Sequence, residues 1–155
     1  MAKKKNEIGE IGEKVFNLAI SRDLIFRASP LGEKWPTSDF YVELVGPKEH
    51  FYFIVQVKST NEGINGANKL RINIPKDKLH KLNEYYCPTY IAGVDIKTEI
   101  VYLFPINTKR HKGVSGIPIS YELDSSKRKK LFDDVKSFWT GTNVKAYKSK
   151  FKHKL

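Results

Sequence analysis

The sequence has a single cysteine and no long apolar run, and both features limit what the protein can be. Cys87 alone excludes an internal disulfide framework and a paired-cysteine zinc site. No uninterrupted apolar stretch approaches the ~18 residues that a membrane-spanning helix needs. The start, MAKKKNEIGE, has no apolar signal-peptide core. These features predict a globular protein of the reducing cytoplasm.

Motifs for several kinds of catalysis are also missing. The chain has no GxSxG nucleophile motif and neither a GxGxxG nor a GxxxxGK[ST] phosphate-binding loop. The histidines lack the HxH or i,i+4 spacing that is typical of metal sites. We therefore expect neither a hydroxyl nucleophile nor a nucleotide-binding loop.

Positive charge, in contrast, is abundant. The chain has 28 Lys and Arg against 17 Asp and Glu, a formal net charge of +11. Such an excess favours a polyanionic partner, most often nucleic acid, although a basic surface without a partner is the alternative. Arg71 and Lys69 flank a glycine- and asparagine-rich loop and are further candidate phosphate contacts, or else solvated. The longest basic run is Lys127, Arg128, Lys129 and Lys130.

The residues from 141 to 155 form a second basic segment, without any acid. Its lysines, among them Lys145 and Lys148, alternate with Tyr147 and Phe151. Such interleaving is typical of segments that contact phosphates and stack bases, and a solvated terminus is the alternative. We therefore divide the chain into a domain at 1–140 and a basic tail at 141–155.

Apolar periodicity and turn residues predict an α/β (α+β) sandwich with the order αβββαββα. An apolar stripe, widened by Phe16, indicates which side of the first helix faces inward; its members are Ile8, Ile11, Val15, Leu18 and Ala19. Residues 69–74 are compatible with a further short strand. The predicted helices are 7–21, 75–86 and 125–139, with Ser125 or Ser126 as the last N-cap, and the predicted strands are 23–29, 38–46, 50–60, 88–96 and 99–106.

Three polar residues stand out on the hairpin formed by the second and third strands. Asp39 opens one strand, and Gln56 and Lys58 lie near the end of the next, on a face shared with Tyr52 and Ile54. Because the start of one strand of a hairpin lies near the end of its partner, all three should meet at one end of the sheet. A carboxylate, an amide or backbone oxygen and a lysine suit a hard divalent cation beside a phosphate. The alternatives are that Asp39 caps a turn and that the other two are solvated.

These residues, in this order, resemble the PD-(D/E)XK nuclease superfamily. The matching elements are Gly12-Glu13 on the first helix, Ser38-Asp39 and Gln56-Val57-Lys58 on the hairpin, and the strand PTYIAGVD at 88–95. The likeness is closest to a small stand-alone prokaryotic branch, and the QxK form is similar to Mrr-type restriction nucleases; Holliday junction resolvases are also relatives. The resemblance implies a restriction-endonuclease-like three-layer sandwich, with a mixed central sheet and flanking helices.

The resemblance also implies a metal-dependent nuclease that acts on DNA rather than RNA, and it is compatible with a homodimer. Mg²⁺ or Mn²⁺ would be held by Asp39, Glu13, Gln56 and the Val57 carbonyl, and Lys58 would stabilise charge on the phosphate. Counting roughly 100° per residue puts Glu13 at the border of the predicted apolar sector of the helix. Glu43, which shares strand parity with Asp39 but lies farther along, is a weaker candidate.

The sequence departs from the superfamily pattern in two places. Ser38 replaces the proline, and Gln56 stands where most members have a carboxylate. Because glutamine offers only a neutral oxygen, the site holds less negative charge. The alternative hypothesis is therefore a catalytically inactive nuclease-fold module that binds nucleic acid. A third hypothesis, a basic ribosomal or tRNA-associated protein without a site, predicts that Asp39, Gln56 and Lys58 do not converge.

Overall fold

Three α-helices and seven β-strands make up the part of the chain that the computed structural model describes, residues 2–35, 37–107, 112–142 and 146–151. The helices are α1 (Ala2–Ser21), α2 (Lys76–Asn83) and α3 (Ser125–Gly141). A short 3-10 helix, Ile119–Tyr121, precedes α3. The strands are β1 (Phe26–Pro30), β2 (Phe40–Leu44), β3 (Tyr52–Thr60), β4 (Lys69–Ile74), β5 (Thr89–Asp95), β6 (Ile100–Pro105) and β7 (Val114–Pro118).

A mixed five-stranded sheet with the order β1-β2-β3-β5-β6 forms the centre of the fold. The strands β1, β2 and β3 are antiparallel, β3 is parallel to β5, and β5 is antiparallel to β6. The predicted mixed central sheet with flanking helices is confirmed. Because β3 and β5 run in the same direction, their carboxyl ends share one edge of the sheet, beside the start of β2.

Both faces of this sheet are covered, which gives three layers. On one face, α1 and α3 pack through Phe16, Ile20 and Val135 against strand residues such as Phe53 and Val55. On the other face lie α2 and a small second sheet made of β4 and β7. The buried residues of this second core include Leu70, Ile74, Leu79, Leu82, Ile91, Phe104 and Ile117.

The second sheet adds a strand that the sequence did not predict. The compatible stretch 69–74 is indeed a strand, and it pairs antiparallel with β7. We missed β7 because it is only five residues long and contains Gly116 and Pro118, which usually mark turns. Gly116 has φ +88°, a conformation that other residues rarely adopt, so the glycine serves the backbone of this strand rather than ending it.

The orientation of α1 differs from the predicted one. Its buried side is made of Gly12, Phe16 and Ile20, whereas Ile11 and Leu18 of the predicted inward stripe are 45% and 60% exposed. The apolar pattern contains two overlapping stripes, and the larger phenylalanine occupies the core. This rotation brings the buried side of the helix closer to Glu13 than the sequence predicted.

The close approach of α1 to β3 depends on a glycine. A Cβ at Gly12 would lie 1.6 Å from the Oγ and 2.7 Å from the Cβ of Ser59. Contacts this short do not occur in proteins, so any larger residue would push the helix away from the strand. The glycine therefore sets the height at which the next residue, Glu13, stands above the end of β3.

The end of the domain is formed by α3, which runs to Gly141. Its N-cap is Asp124, whose side chain accepts a hydrogen bond of 2.8 Å from the Lys127 backbone N–H, and not Ser125 or Ser126 as predicted. The division into a domain at 1–140 and a tail at 141–155 remains a prediction. Among the described residues, no helix is both long and apolar enough to cross a membrane.

Candidate functional site

The Asp39 carboxylate lies at the end of the sheet where β2 and β3 separate. The hairpin register pairs Phe40 with Val55, and the Asp39 backbone N–H donates to the Val55 carbonyl at 2.9 Å. Since β2 begins only at Phe40, the next outward-facing N–H of β3, that of Val57, has no partner on that strand. The Asp39 Oδ2 accepts this hydrogen bond at 2.7 Å. The carboxylate is thereby fixed in the plane of the sheet.

Glu13 reaches the same point from α1. The packing of Gly12 on Ser59 places the helix directly over the end of β3, and the Glu13 carboxyl forms a hydrogen bond with the Asp39 carboxyl. The negative charge of Asp39 also raises the pKa of Glu13, as expected for two acids that lie close together. Two carboxyl groups from separate elements therefore meet at one point.

Gln56 and Lys58 approach from the other side of β3. They share the face of Ile54, opposite Ile91 and Gly93 of β5, as strand alternation requires. Lys58 is partly buried, and it interacts electrostatically with both Asp39 and Lys78. The structure thus brings Glu13, Asp39 and Lys58 together around the Val57 backbone.

Burial dominates the electrostatics of this cluster. It raises the pKa of Asp39 above its usual value, although the Val57 N–H and the Lys58 ammonium act in the opposite direction. It also raises the pKa of Glu13, with further contributions from the negative charges of Asp39 and Glu10. Burial and the neighbouring Lys78 lower the pKa of Lys58, which Asp39 partly offsets. The two carboxylates are therefore short of positive charge and would gain from a cation.

Three buried polar atoms without a hydrogen-bond partner surround this cluster. They are the Ser38 Oγ, the Gln56 Oε1 and the Ser59 Oγ, and no other buried side-chain atom of the described residues lacks one. An unpaired buried polar group costs about 1–3 kcal/mol, so proteins rarely keep several in one place without a ligand. Because they lie beside Asp39 and Lys58 in the chain, this end of the sheet is the candidate site.

The residues present fit a hard divalent cation. The donors are the carboxylates of Asp39 and Glu13, the unpaired Gln56 Oε1 and the Val57 carbonyl, which belongs to the same stretch of β3 as the Val57 N–H that holds Asp39. All are oxygens, the ligand type that Mg²⁺ and Mn²⁺ prefer. No group of three or more His, Cys, Asp or Glu within the described ranges could hold a metal. Any ion here would therefore rely on neutral oxygens as well.

Of the predicted nucleic-acid contacts, Arg71 is the one that the structure brings next to the site. It lines a cleft of ≈ 490 Å³ together with Lys58 and with Lys5 at the start of α1. Lys69 is partly buried at the start of β4. The cleft adjoins the site through Val57 and Lys58, and its three cations, with one acid, Glu62, suit a phosphate backbone.

The basic run of α3 lies elsewhere. Lys127 and Lys130 line a separate cleft with Tyr90 and Leu103, Lys129 is exposed, and Lys148 is exposed beyond the helix. Lys145 lies outside the described residues. A role for these side chains in binding would involve parts of a nucleic acid away from the site.

The position of Arg128 differs from the predicted one. The sequence predicted a nucleic-acid contact, but the side chain is buried, and its Nε donates to Asp23 at 2.7 Å. Its Nη1 also donates to the carbonyls of Leu123 at 3.1 Å and Ala19 at 3.4 Å. The guanidinium therefore joins the end of α1 to the start of α3 and is not available to a phosphate.

Two groups of residues near the site, a pair of lysines on α2 and one tryptophan, were not predicted from the sequence. Lys78 lies close to Lys58, and Lys81, one helical turn further along α2, lines a cleft beside Thr37. The i,i+3 spacing of these lysines, on a helix that buries Leu79 and Leu82, was the available signal. The other feature is Trp35, an exposed tryptophan four residues before Asp39.

Comparison with known proteins shows a structural likeness but no match in sequence. No protein-family profile and no curated sequence matches the chain. Among solved structures, the chain is similar to Hjc, a Holliday junction resolvase from the archaeal hyperthermophile Archaeoglobus fulgidus. The identity is 16% and the TM-score 0.40, over 78% of this chain and 89% of that chain. A likeness at this level carries no information about the chemistry of the site.

The carboxyl pair predicts a pH dependence of stability in the absence of metal. A carboxyl whose pKa is raised by folding favours the folded state while it is protonated, and this contribution is lost as the pH rises through the folded-state pKa. The free energy of unfolding should therefore fall as the pH rises above the ordinary values of 3.8 and 4.5 for Asp39 and Glu13. The fall should be smaller in Glu13→Gln, as measured by denaturant unfolding at several pH values with EDTA present.

Glu7→Gln is the matched control for this measurement, because Glu7 is an exposed acid on the same helix. It should leave the pH profile of the wild-type protein unchanged. Identical slopes for Glu13→Gln and wild type would contradict the coupling of the two carboxyls.

Proposed function

We propose that the protein is a metal-dependent nuclease that hydrolyses phosphodiester bonds, in DNA rather than RNA. The observation that carries the proposal is the meeting of two carboxyls, one lysine and three unpaired polar atoms at one end of the sheet. The basic cleft that adjoins it, lined by Lys5 and Arg71, suits a phosphate backbone. The third hypothesis, a basic protein without a site, predicts that Asp39, Gln56 and Lys58 do not converge, and the electrostatic interaction of Lys58 with Asp39 speaks against it.

Asp39 and Glu13 would hold Mg²⁺ or Mn²⁺ together with the Gln56 Oε1 and the Val57 carbonyl. When bound, the ion supplies positive charge for the scissile phosphate and lowers the pKa of water. The Val57 N–H holds the Asp39 Oδ2 and so fixes the orientation of the carboxylate. Gly12 keeps the Glu13 carboxyl at the height that the site requires.

Lys58 would face the phosphate that is cleaved. Its ammonium lies beside Asp39 in a partly buried position, where a charge interacts more strongly than in water. Water attacks the phosphorus, the bond to the 3′ oxygen breaks, and the proton that the water loses ends on this leaving oxygen. The lysine stabilises the negative charge that builds up on the phosphate oxygens. Lys78, near Lys58, adds positive charge to the same face.

The test is cleavage of end-labelled single-stranded DNA, duplex DNA and RNA with Mg²⁺, with Mn²⁺ and with EDTA. We expect cleavage of DNA with either ion and none with EDTA. No cleavage of any substrate, together with no heat of Mn²⁺ binding in calorimetry, would overturn the proposal.

A catalytically inactive nuclease-fold module that binds nucleic acid is the second candidate. It is favoured by Gln56 in place of a carboxylate and by the absence of a third acid among the described ligand candidates. Such a module should bind DNA equally well with Mg²⁺ and with EDTA, and it should take up no Mn²⁺. The same calorimetry and a DNA titration therefore distinguish the two candidates.

A further inference from the structure

An exposed tryptophan lies four residues before Asp39 in the chain. Trp35 is 53% exposed, whereas tryptophan side chains in folded proteins are on average highly buried. Its backbone N–H donates to the Gly32 carbonyl at 3.0 Å, which forms a turn. The Leu31 N–H donates to the Asp39 carbonyl at 2.8 Å and joins the start of this segment to the site. The indole is therefore displayed on a turn that is anchored at Asp39 itself.

Chain length limits the distance between the indole and the site. Four residues span at most about 14 Å, so the Cα of Trp35 lies within this distance of that of Asp39. Bases along one strand of a duplex are separated by about 3.4 Å along its axis, so this reach corresponds to about four nucleotides. A nucleic acid held with a phosphate at Asp39 would have a nearby base within reach of Trp35.

Positive charge on α2 flanks the same side of the site. Lys81 lines a cleft of ≈ 430 Å³ with Thr37, two residues after the tryptophan, and Lys78 lies near Lys58. Exposed aromatic rings and cations together are the combination that binds single strands, because bases stack on a ring while the cations hold the backbone. Duplex bases offer no free face to such a ring, since each is stacked between its neighbours.

We propose that Trp35 forms a stacking subsite for an unpaired base next to the scissile phosphate. The inference rests on the proposed function and deepens it: the substrate class is nucleic acid that is single-stranded, or locally unpaired, within a few nucleotides of the cut. Lys78 and Lys81 hold the backbone on the side of the stacked base. Trp35 has no part in the chemical step.

Binding is measured with EDTA present, by fluorescence anisotropy of a labelled oligo(dT) and of a duplex of equal length. Removal of one base-stacking ring typically weakens binding of a single strand roughly 5- to 100-fold. We expect this loss for Trp35→Ala with oligo(dT), a much smaller loss for Trp35→Phe, and little change with the duplex. Tyr147→Ala, in the exposed tail, tests whether the tail is the source of stacking.

Intrinsic fluorescence provides a second measurement, because the chain has only two tryptophans. Trp139 donates its Nε1–H to the Tyr52 carbonyl at 2.8 Å and packs against the Tyr52 ring, so it should respond little to a ligand at Asp39. Oligo(dT) should quench the wild-type protein and Trp139→Phe, but not Trp35→Phe. If Trp139→Phe does not fold, the difference between the wild-type protein and Trp35→Phe reports the same signal.

The outcomes separate this inference from the function on which it rests. If Trp35→Ala binds oligo(dT) as wild type does while the wild-type protein still cleaves DNA, the stacking subsite is overturned and the nuclease remains. The same holds if Tyr147→Ala, rather than Trp35→Ala, carries the loss. If the wild-type protein binds no oligonucleotide in EDTA, the stacking subsite is overturned, and the cleavage assay with Mg²⁺ and Mn²⁺ decides on the nuclease.

Discussion

Replacing Asp39 by asparagine is expected to abolish metal-dependent cleavage. The asparagine would keep the size of the side chain, and its amide oxygen could still accept the hydrogen bond from the Val57 N–H. The negative charge that a divalent cation needs would be lost, in a site that has only one other acid among the described residues. A metal contributes several kcal/mol of transition-state stabilisation, so we expect a loss of at least about 1,000-fold in the cleavage rate.

The variant should also lose the ability to bind metal, and this can be measured as a change in melting temperature. Mn²⁺ should raise the melting temperature of the wild-type protein but not that of Asp39→Asn, because only a bound ligand stabilises the folded state. Without metal, Asp39→Asn should be at least as stable as wild type, since it relieves the repulsion between the two carboxylates.

Glu43→Gln is the control for this prediction. Glu43 lies on β2, the strand that Asp39 precedes, and shares the parity of Asp39. Its carboxylate, however, pairs with His50 and accepts from the Tyr41 hydroxyl. Cleavage and metal binding should be unchanged in this variant. Wild-type cleavage by Asp39→Asn, or equal losses in both variants, would show that Asp39 does not belong to the active centre.

Strand alternation accounts for most of what could be predicted at the site. In an antiparallel hairpin, the periods of the two strands and the position of the turn fix which residues face each other. The sequence positions of Asp39, Gln56 and Lys58 therefore sufficed to predict their common end of the sheet. Their register, with Phe40 opposite Val55, follows from the same pattern.

The contribution of α1 was harder to predict, because a helix can bury either of two overlapping stripes. Ile11 and Leu18 suggested one side, but the closest approach to the sheet is made by the side that carries a glycine and a phenylalanine. Periodicity indicates that a helix is amphipathic but does not weigh a small residue that lets two backbones come close. In the sequence Gly12 is only part of a motif, although its physical role is to bring Glu13 to Asp39.

Runs of basic residues were the least reliable guide to which side chains could bind phosphate. The four consecutive basic residues at 127–130 suggested one phosphate-binding patch, yet a helix distributes neighbours over different sides. Arg128 consequently points inward to Asp23, and Lys129 points to solvent. In contrast, Lys78 and Lys81 are three residues apart and lie on the same side of α2 as the site, a spacing that a count of consecutive charges overlooks.

Replacing Lys58 by methionine should remove catalysis while leaving the metal site intact. Methionine keeps much of the length of the side chain and its apolar contacts, so that the change is chiefly the loss of the ammonium. Removing one group that stabilises transition-state charge typically lowers the rate about 100- to 1,000-fold, and we expect a loss in this range. Arginine should not restore the rate, because a planar guanidinium is too large for a partly buried position opposite Gly93.

Separate measurements distinguish this role from metal binding. The shift in melting temperature with Mn²⁺ should be kept in Lys58→Met and lost in Asp39→Asn, although both variants are inactive. Lys48→Met is the matched control, because Lys48 is an exposed lysine in the turn at the opposite end of the same hairpin. Full activity of Lys58→Met would mean that the charge developing on the phosphate is stabilised without this lysine. A lost Mn²⁺ shift would instead mean that Lys58 supports the ligands, since its ammonium interacts with the Asp39 carboxylate.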